Sequence, residues 1–140
     1  MGYEVAVRDG LSGHGTSVLR TEIYLGLTQG FSGSIQGKQE VVEFLAEWYR
    51  GTIARGKIFL PLIITDATLT FSHSSEDGST VAEFEPALII ICNKPPFSQV
   101  ADDDWKDAAE NLAKTLGERF NQTIVELILY RIEMKIFSQV

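Results

Sequence analysis

Cysteine is almost missing from this chain, since Cys92 is the only one. A single cysteine cannot form an internal disulfide, and it excludes a cysteine-rich zinc or iron–sulfur site. Positive charge is also scarce: 12 lysines and arginines stand against 19 aspartates and glutamates, so the net charge is −7. Because binding to nucleic acid or to an anionic membrane needs clustered lysine and arginine, we expect neither kind of partner.

Long apolar runs are absent as well. The longest uncharged apolar run, residues 58–65, is too short to span about 30 Å of hydrocarbon. The first ten residues lack the basic-then-apolar pattern of a secretory signal. A cytoplasmic location is therefore the expectation.

What the chain does contain is typical of one globular domain. It has 140 residues, of which 44% are hydrophobic and 22% are charged, and a chain of this size forms one domain with one core. Residues 1–19 are rich in glycine and serine, with Gly10 to Gly15 at their centre. We predict a flexible N-terminal arm over 1–19 and a single α+β domain over 20–140.

Two hydrophobic periods divide this domain into strands and helices. Residues 21–28 alternate with period two and predict a strand whose buried face holds Ile23, Leu25 and Leu27. Residues 57–71 and 80–92 are rich in β-forming residues and are joined by turn chemistry at Asp77-Gly78, which predicts a long hairpin. A last strand is predicted from residue 123 to about 137. Two helical stripes fill the gaps between strands: Val41, Phe44, Leu45, Trp48, Tyr49 and Ile53, then Trp105, Ala108, Ala109, Leu112, Ala113, Leu116 and Phe120.

The resulting order, βαββαβ, is that of the ferredoxin-like sandwich. This fold places two helices on one face of a four-stranded antiparallel sheet, with the first and third strands in the centre. The hairpin between the second and third strands is unusually long. Pro86 should lie at a bulge or where its strand extends beyond a shorter neighbour.

The face of the sheet that the helices leave bare carries the main prediction about partners. On one assignment of strand parity, this face holds five apolar side chains, and exposed patches of that kind mark binding surfaces. We therefore expect a homo-oligomer, most simply a dimer, or else an N-terminal arm that folds back over the sheet. The five residues are Val125, Leu127, Leu129, Ile89 and Ile91.

Three segments resemble an uncharacterised bacterial family of small ferredoxin-like proteins. They are residues 21–27, the aromatic helix that ends before Gly56, and the segment Phe84-Glu-Pro86 followed by isoleucines. The resemblance covers about residues 21 to 137 and implies the ferredoxin-like fold. This family has no established activity to transfer, and many of its members carry an export signal that the present sequence does not show.

A glycine-rich segment over residues 26–38 joins the first strand to the first helix. Backbone N–H groups at such a place can bind an anion, with Lys38 as the cation. The phosphate-binding loop motif fails at two positions, Ser32 and Gln39, and no dinucleotide-binding glycine pattern occurs. A simple flexible connection is the main interpretation.

Residues able to do catalytic chemistry are few and scattered. The only histidines, His14 and His73, have no metal-binding spacing. The candidates are His73 as a general base, Glu83 as a carboxylate, and a cleft lined by Tyr24, Glu22 and Arg131. Each has a plainer interpretation as a loop, surface or ion-paired residue, and Cys92 follows an isoleucine run that predicts a buried, inert thiol.

The sequence therefore favours a non-catalytic oligomeric module that binds or assembles through the bare sheet face. The alternative is a small cofactor-independent enzyme with a cleft at the dimer boundary. Neither interpretation requires a metal or cofactor. A pocket in which Tyr24, Arg131 and a carboxylate converge would favour the enzyme.

Overall fold

The computed structural model of the protein describes residues 2–7, 16–28 and 37–139. Within these ranges the secondary structure consists of strands and two helices in the following order: β1 (Tyr3–Val7), β2 (Thr16–Gly26), α1 (Lys38–Ala54), β3 (Ile63–Ser74), β4 (Thr80–Asn93), α2 (Asp102–Arg119), β5 (Glu126–Met134) and β6 (Ile136–Gln139). In the part of the chain so described, neither helix is long and apolar enough to cross a membrane.

Four of the strands form one antiparallel sheet in the order β3-β4-β2-β5. The central strands, β2 and β4, are the first and third strands of the predicted βαββαβ unit. The ferredoxin-like α+β prediction is thus confirmed. A second, two-stranded sheet pairs β1 with β6.

The N-terminal region differs from the predicted arm over residues 1–19. Residues 3–7 form β1, and β2 already begins at Thr16, where it pairs with Met134 of β5. The sequence pattern does not indicate these strand residues, because the nearby glycines and serines leave only the short apolar pair Val18-Leu19 and no alternation around it. The glycine-rich centre of the predicted arm, residues 8–15, lies outside the described residues, and so does His14.

The core lies between the two helices and one face of the sheet. Alternate residues of β2 and β4, among them Ile23, Leu25, Leu88 and Ile90, are buried against the helices. The predicted helical stripes supply the other half of this core: Val41, Leu45, Trp105, Leu112, Leu116 and Phe120 are buried. Burial of these side chains is the main source of stability, at about 1.5–3 kcal/mol for each large one.

The prediction is wrong for one member of the first helical stripe, which is not buried. Ile53 is 64% exposed, and the buried residue in the last turn of α1 is Thr52. The helix ends directly afterwards, at Ala54, and the backbone of Gly56 takes a positive φ of 63°. Glycine adopts that conformation at little cost, so Gly56 ends the helix as its position predicts.

The long hairpin extends beyond the rest of the sheet. The last residue pair between β2 and β4 is Gly26 with Ala87. The Pro86 carbonyl still accepts a hydrogen bond from the N–H of Leu27, directly after β2, and the backbone of residues 80–85 pairs with β3 alone. Pro86 therefore lies where its strand extends beyond a shorter neighbour, as predicted.

Candidate active site

The strand register decides which side chains share the face of the sheet that the helices do not cover, here called the open face. Directly opposed residues in an antiparallel pair point to the same side. Because Ile23 and Leu25 point toward the helices, their neighbours on β2, Arg20, Glu22 and Tyr24, point to the open face.

Five polar residues meet at the centre of the open face, and we call them the open-face cluster: Arg20, Glu22, Tyr24, Asn93 and Tyr130. Arg20 is opposed by Asn93 of β4 on one side and by Tyr130 of β5 on the other. The Arg20 Nη2 atom lies 3.5 Å from Glu22 Oε1. The Arg20 guanidinium also lies 5.8 Å from the centre of the Tyr130 ring, within range of a cation–π contact.

Tyr130 and Glu22 are diagonal neighbours on the open face, because Tyr130 opposes Arg20 and Glu22 opposes Ile128. The attraction of the Glu22 carboxylate for the Tyr130 hydroxyl proton is the largest cause that raises the pKa of Tyr130 above its usual value. Tyr130 therefore remains protonated at neutral pH.

The cluster also contains two buried polar atoms whose bonding capacity is unused. Arg20 Nε and Asn93 Oδ1 are buried, and neither has a hydrogen-bond partner among the described residues. One is a donor and the other an acceptor, and they belong to opposed residues. Such atoms cost free energy when left unpaired, so this position is suited to a ligand group that both donates and accepts, such as a hydroxyl or an aminopurine edge.

Apolar residues flank most of the cluster on the same face. Ile91 and Ile128 oppose Glu22 on its two sides. Tyr24 is opposed by Ile89 of β4 and by the Glu126 carboxylate of β5. Ile63 continues the row on β3 beyond Ile91 and is 58% exposed. Two carboxylates and two phenol rings beside apolar side chains are suited to a ligand that combines a positive charge with flat or apolar parts.

His73 and Glu83 lie far from this cluster. Their side chains pair with each other, His73 Nε2 to Glu83 Oε1 at 3.1 Å, on the exposed hairpin. Glu83 precedes Ile89, the residue opposite Tyr24, by six positions, which is about 20 Å along a strand. The Glu83 hydrogen bond raises the pKa of His73, but neither residue meets Tyr24.

Arg131 is on the opposite side of the sheet from Tyr24, so the predicted cleft between them is wrong. Arg131 opposes Leu19 on the helix side and binds the Asp102 carboxylate at the start of α2. Lys94 binds the other Asp102 oxygen at 2.8 Å. The two cations therefore tie the first turn of α2 to the sheet, where the helix dipole also favours a carboxylate.

The Asp102 ion pairs predict a pH dependence of stability. The hydrogen bond from Lys94, followed by the charges of Lys94 and Arg131, lowers the pKa of Asp102. A group with a lower pKa in the folded state stabilises the fold above its unfolded pKa, about 3.9, and that contribution is lost as pH falls through the folded pKa. We expect urea unfolding to show a stability advantage of the wild type over Asp102→Asn at pH 7 that shrinks by pH 3. A difference that stays constant over this range would contradict the assignment.

The five residues predicted to share the bare face are split between the two faces. Ile89 and Ile91 are on the open face, as predicted. Leu127 opposes Ile23, so it and Val125 point to the helix side and pack against the core. Leu129 shares that side and is 42% exposed. The first half of β5 is apolar on both faces, which is why its parity was assigned wrongly.

The remaining sequence candidates have plain structural roles. Lys38 begins α1, and its Nζ atom lies 3.5 Å from Asp66 Oδ2, with both side chains exposed. Most of the glycine-rich segment before it, residues 29–36, lies outside the described residues. Cys92 is buried, and burial raises the pKa of its thiol to about 12. No group of three potential metal ligands occurs in the ranges that the structure describes.

Sequence reasoning found Tyr24 and its neighbour Glu22 but not their partners. Arg20 is four positions before Tyr24, and alternate residues of a strand share a face, so the sequence alone could have placed Arg20 on the same face as Tyr24 and Glu22. Asn93 and Tyr130 come from strands distant in sequence, and only the register brings them to Arg20.

Comparison with solved structures finds the same fold in an enzyme. A phage SAM lyase in complex with S-methyl-5'-thioadenosine superposes with a TM-score of 0.54 at 19% identity, over 89% of this chain and 95% of the other. The apo form of a phage SAM lyase gives 0.53 at 20% identity, over 92% and 97%. No protein-family model matches the chain, and no curated protein matches it.

At this identity, the likeness shows a shared fold. It nevertheless overturns the interpretation of the chain as a non-catalytic module, because both structures are of an enzyme and one holds a nucleoside ligand. The finding favours the alternative interpretation, a small enzyme.

Proposed function

We propose that this protein is a lyase that cleaves a sulfonium nucleoside of the S-adenosylmethionine type, with the open-face cluster as its active site. The observation that carries the proposal is the position of the Glu22 carboxylate on the open face, next to Tyr24 along β2, diagonal to Tyr130 of β5 and flanked by isoleucines. Support comes from the fold shared with phage SAM lyase over nearly the whole chain.

The open face carries a net negative charge that complements the substrate, because in the part of this face that the structure describes Glu22 and Glu126 stand against the single cation Arg20. S-adenosylmethionine carries a positive charge on sulfur, and Glu22 offers the opposite charge where Ile91 and Ile128 keep the surroundings apolar. The rings of Tyr24 and Tyr130 add cation–π attraction. In a setting of lowered dielectric constant, these interactions are stronger than they are in water.

The unused polar atoms suit the nucleoside part. A ribose hydroxyl can accept a hydrogen bond from Arg20 Nε and donate one to Asn93 Oδ1. The adenine amino group with its neighbouring ring nitrogen offers the same combination. Either contact fixes the nucleoside relative to Glu22. A fixed orientation of the reacting groups lowers the activation barrier, because the entropy of positioning them is lost on binding.

The reaction needs no water, metal or added nucleophile. The carboxylate of the substrate's own methionine part attacks the methylene carbon of the methionine chain that is bonded to sulfur. A carbon–oxygen bond forms there, and the bond from that carbon to sulfur breaks. Sulfur keeps the electron pair and becomes the neutral thioether of S-methyl-5'-thioadenosine, while the amino acid part leaves as a lactone. No proton is transferred, so Glu22 acts by holding the cation in the reactive geometry.

Two further parts of the proposal concern context. A sheet face alone is shallow, and Ile128 on it is 38% exposed, so we place a second copy of the chain over the open face to complete the cleft.

A cytoplasmic location is also part of the proposal, because it suits a chain whose single cysteine is a free, buried thiol.

Incubation with S-adenosylmethionine tests the function directly. We expect purified protein to release S-methyl-5'-thioadenosine, measured by liquid chromatography, faster than the protein-free control. S-adenosylhomocysteine, which has an uncharged sulfur, is expected to remain intact. Recovery of S-adenosylmethionine at the protein-free rate would refute the proposal.

A further inference from the structure

A concave surface lies on the other side of the sheet from the open-face cluster. It is a groove of about 940 Å³ between α2 and β5. Its floor is made by Val125, Leu127 and Leu129, the three residues of β5 and its approach that point to the helix side. Nothing in the proposed lyase chemistry uses this groove.

Two contacts join α2 to the strand that forms the floor. Near the end of α2, a Cβ on Gly117 would lie 3.0 Å from Cγ2 of Val125, the residue before β5. At the start of α2, Asp102 and Arg131 are joined by their ion pair. Val125 and Arg131 are six positions apart, so the floor between these contacts is about 20 Å long and matches a stretch of six or seven extended residues.

The sheet edge beside the groove is available for pairing. β5 is the last strand in the order β3-β4-β2-β5, and in the described ranges no strand pairs with its outer side. A strand in that position offers a row of backbone donors and acceptors to another extended chain.

The wall formed by α2 is acidic. Among the charged groove-lining residues, four are carboxylates and two are lysines, giving a net charge of −2: Asp103, Asp107, Glu110, Glu118, Lys106 and Lys114. Lys114 is already paired with Glu110 at 3.4 Å. The wall therefore attracts cations, while the leucines of the floor accept aliphatic chains.

We propose that the groove binds an extended segment of a partner protein in which basic and apolar residues alternate. The segment adds to the sheet by pairing with β5. Its arginine or lysine side chains enter the groove, where their methylene stems cover Leu127 and Leu129 and their charged ends reach Asp103 and Asp107. Its apolar residues point to the other side of the sheet, beyond the outer edge of β5.

Fluorescence anisotropy with a labelled nine-residue peptide of alternating arginine and valine tests this inference. We expect saturable binding, no binding of the matched glutamate–valine peptide, and loss of binding when the amides on one edge of the peptide are N-methylated. Asp107→Lys should weaken binding at least ten-fold. Glu47→Lys, the same charge change on the exposed side of α1, should leave it unchanged.

Several results would overturn the inference. Equal weakening by the two lysine variants would mean general attraction to an acidic protein. Insensitivity to N-methylation on either edge would exclude strand pairing. A dimer that Leu129→Glu converts to a monomer would assign the groove to a second copy of the chain. Cleavage of S-adenosylmethionine by Asp107→Lys should equal that of the wild type, so the proposed function and this inference can fail separately.

Discussion

Replacing Glu22 by glutamine is expected to lower kcat/KM for cleavage of S-adenosylmethionine about 100-fold, since a charge-assisted contact is worth about 1.5–3 kcal/mol. Glutamine keeps the size of the side chain but removes its charge. The substitution therefore removes the attraction to the sulfonium ion and the ion pair with Arg20. The fold should survive, because Glu22 is on the open face and the core is on the other side of β2.

Glu83→Gln is the matched control for this measurement. It removes the same charge from a strand of the same sheet, on the exposed part of the hairpin. Steady-state rates at several substrate concentrations should show wild-type kcat/KM for Glu83→Gln. Equal losses in the two variants, or full activity of Glu22→Gln, would remove Glu22 from the active site.

Truncation of Phe120 to alanine is expected to lower the free energy of unfolding by about 3–5 kcal/mol. Phe120 follows the last turn of α2 and is 0% exposed. Its ring packs edge-to-face on Phe44 of α1, with the centres 5.7 Å apart and the planes at 89°. The substitution therefore leaves a cavity where the two helices meet the sheet, and it also removes an aromatic pair.

Urea denaturation followed by circular dichroism measures this loss. Phe97→Ala is the control, because Phe97 is 73% exposed in the segment between β4 and α2, and its loss should change stability by less than about 0.5 kcal/mol. Similar destabilisation by both variants would mean that the core between the helices is not packed as described.

The sequence predicts the fold where one periodicity dominates. Ile23 and Leu25 alternate with polar or small residues, so one face of β2 must be buried. Trp105, Leu112 and Leu116 repeat at helical spacing and all become buried in α2. Pro86 could be placed because the lack of an N–H group limits where it can lie in a sheet.

Local patterns do not decide the parity of β5 or the partners of each strand. Leu127 and Ile128 are neighbours of similar hydrophobicity, and only the pairing with β2 shows that Leu127 points to the helices. The same pairing moves Arg131 away from Tyr24 and brings Tyr130 toward Glu22. The proposed active site depends on contacts between distant strands, so its composition could be predicted only for the residues of β2.

A crystal structure of the protein soaked with S-methyl-5'-thioadenosine tests the location of the active site most directly. We expect density for the nucleoside on the open face, with its sulfur near Glu22 and a polar group of the nucleoside in contact with Arg20 Nε and Asn93 Oδ1. Density in the groove between α2 and β5, or at the His73–Glu83 pair, with the open face empty, would contradict it.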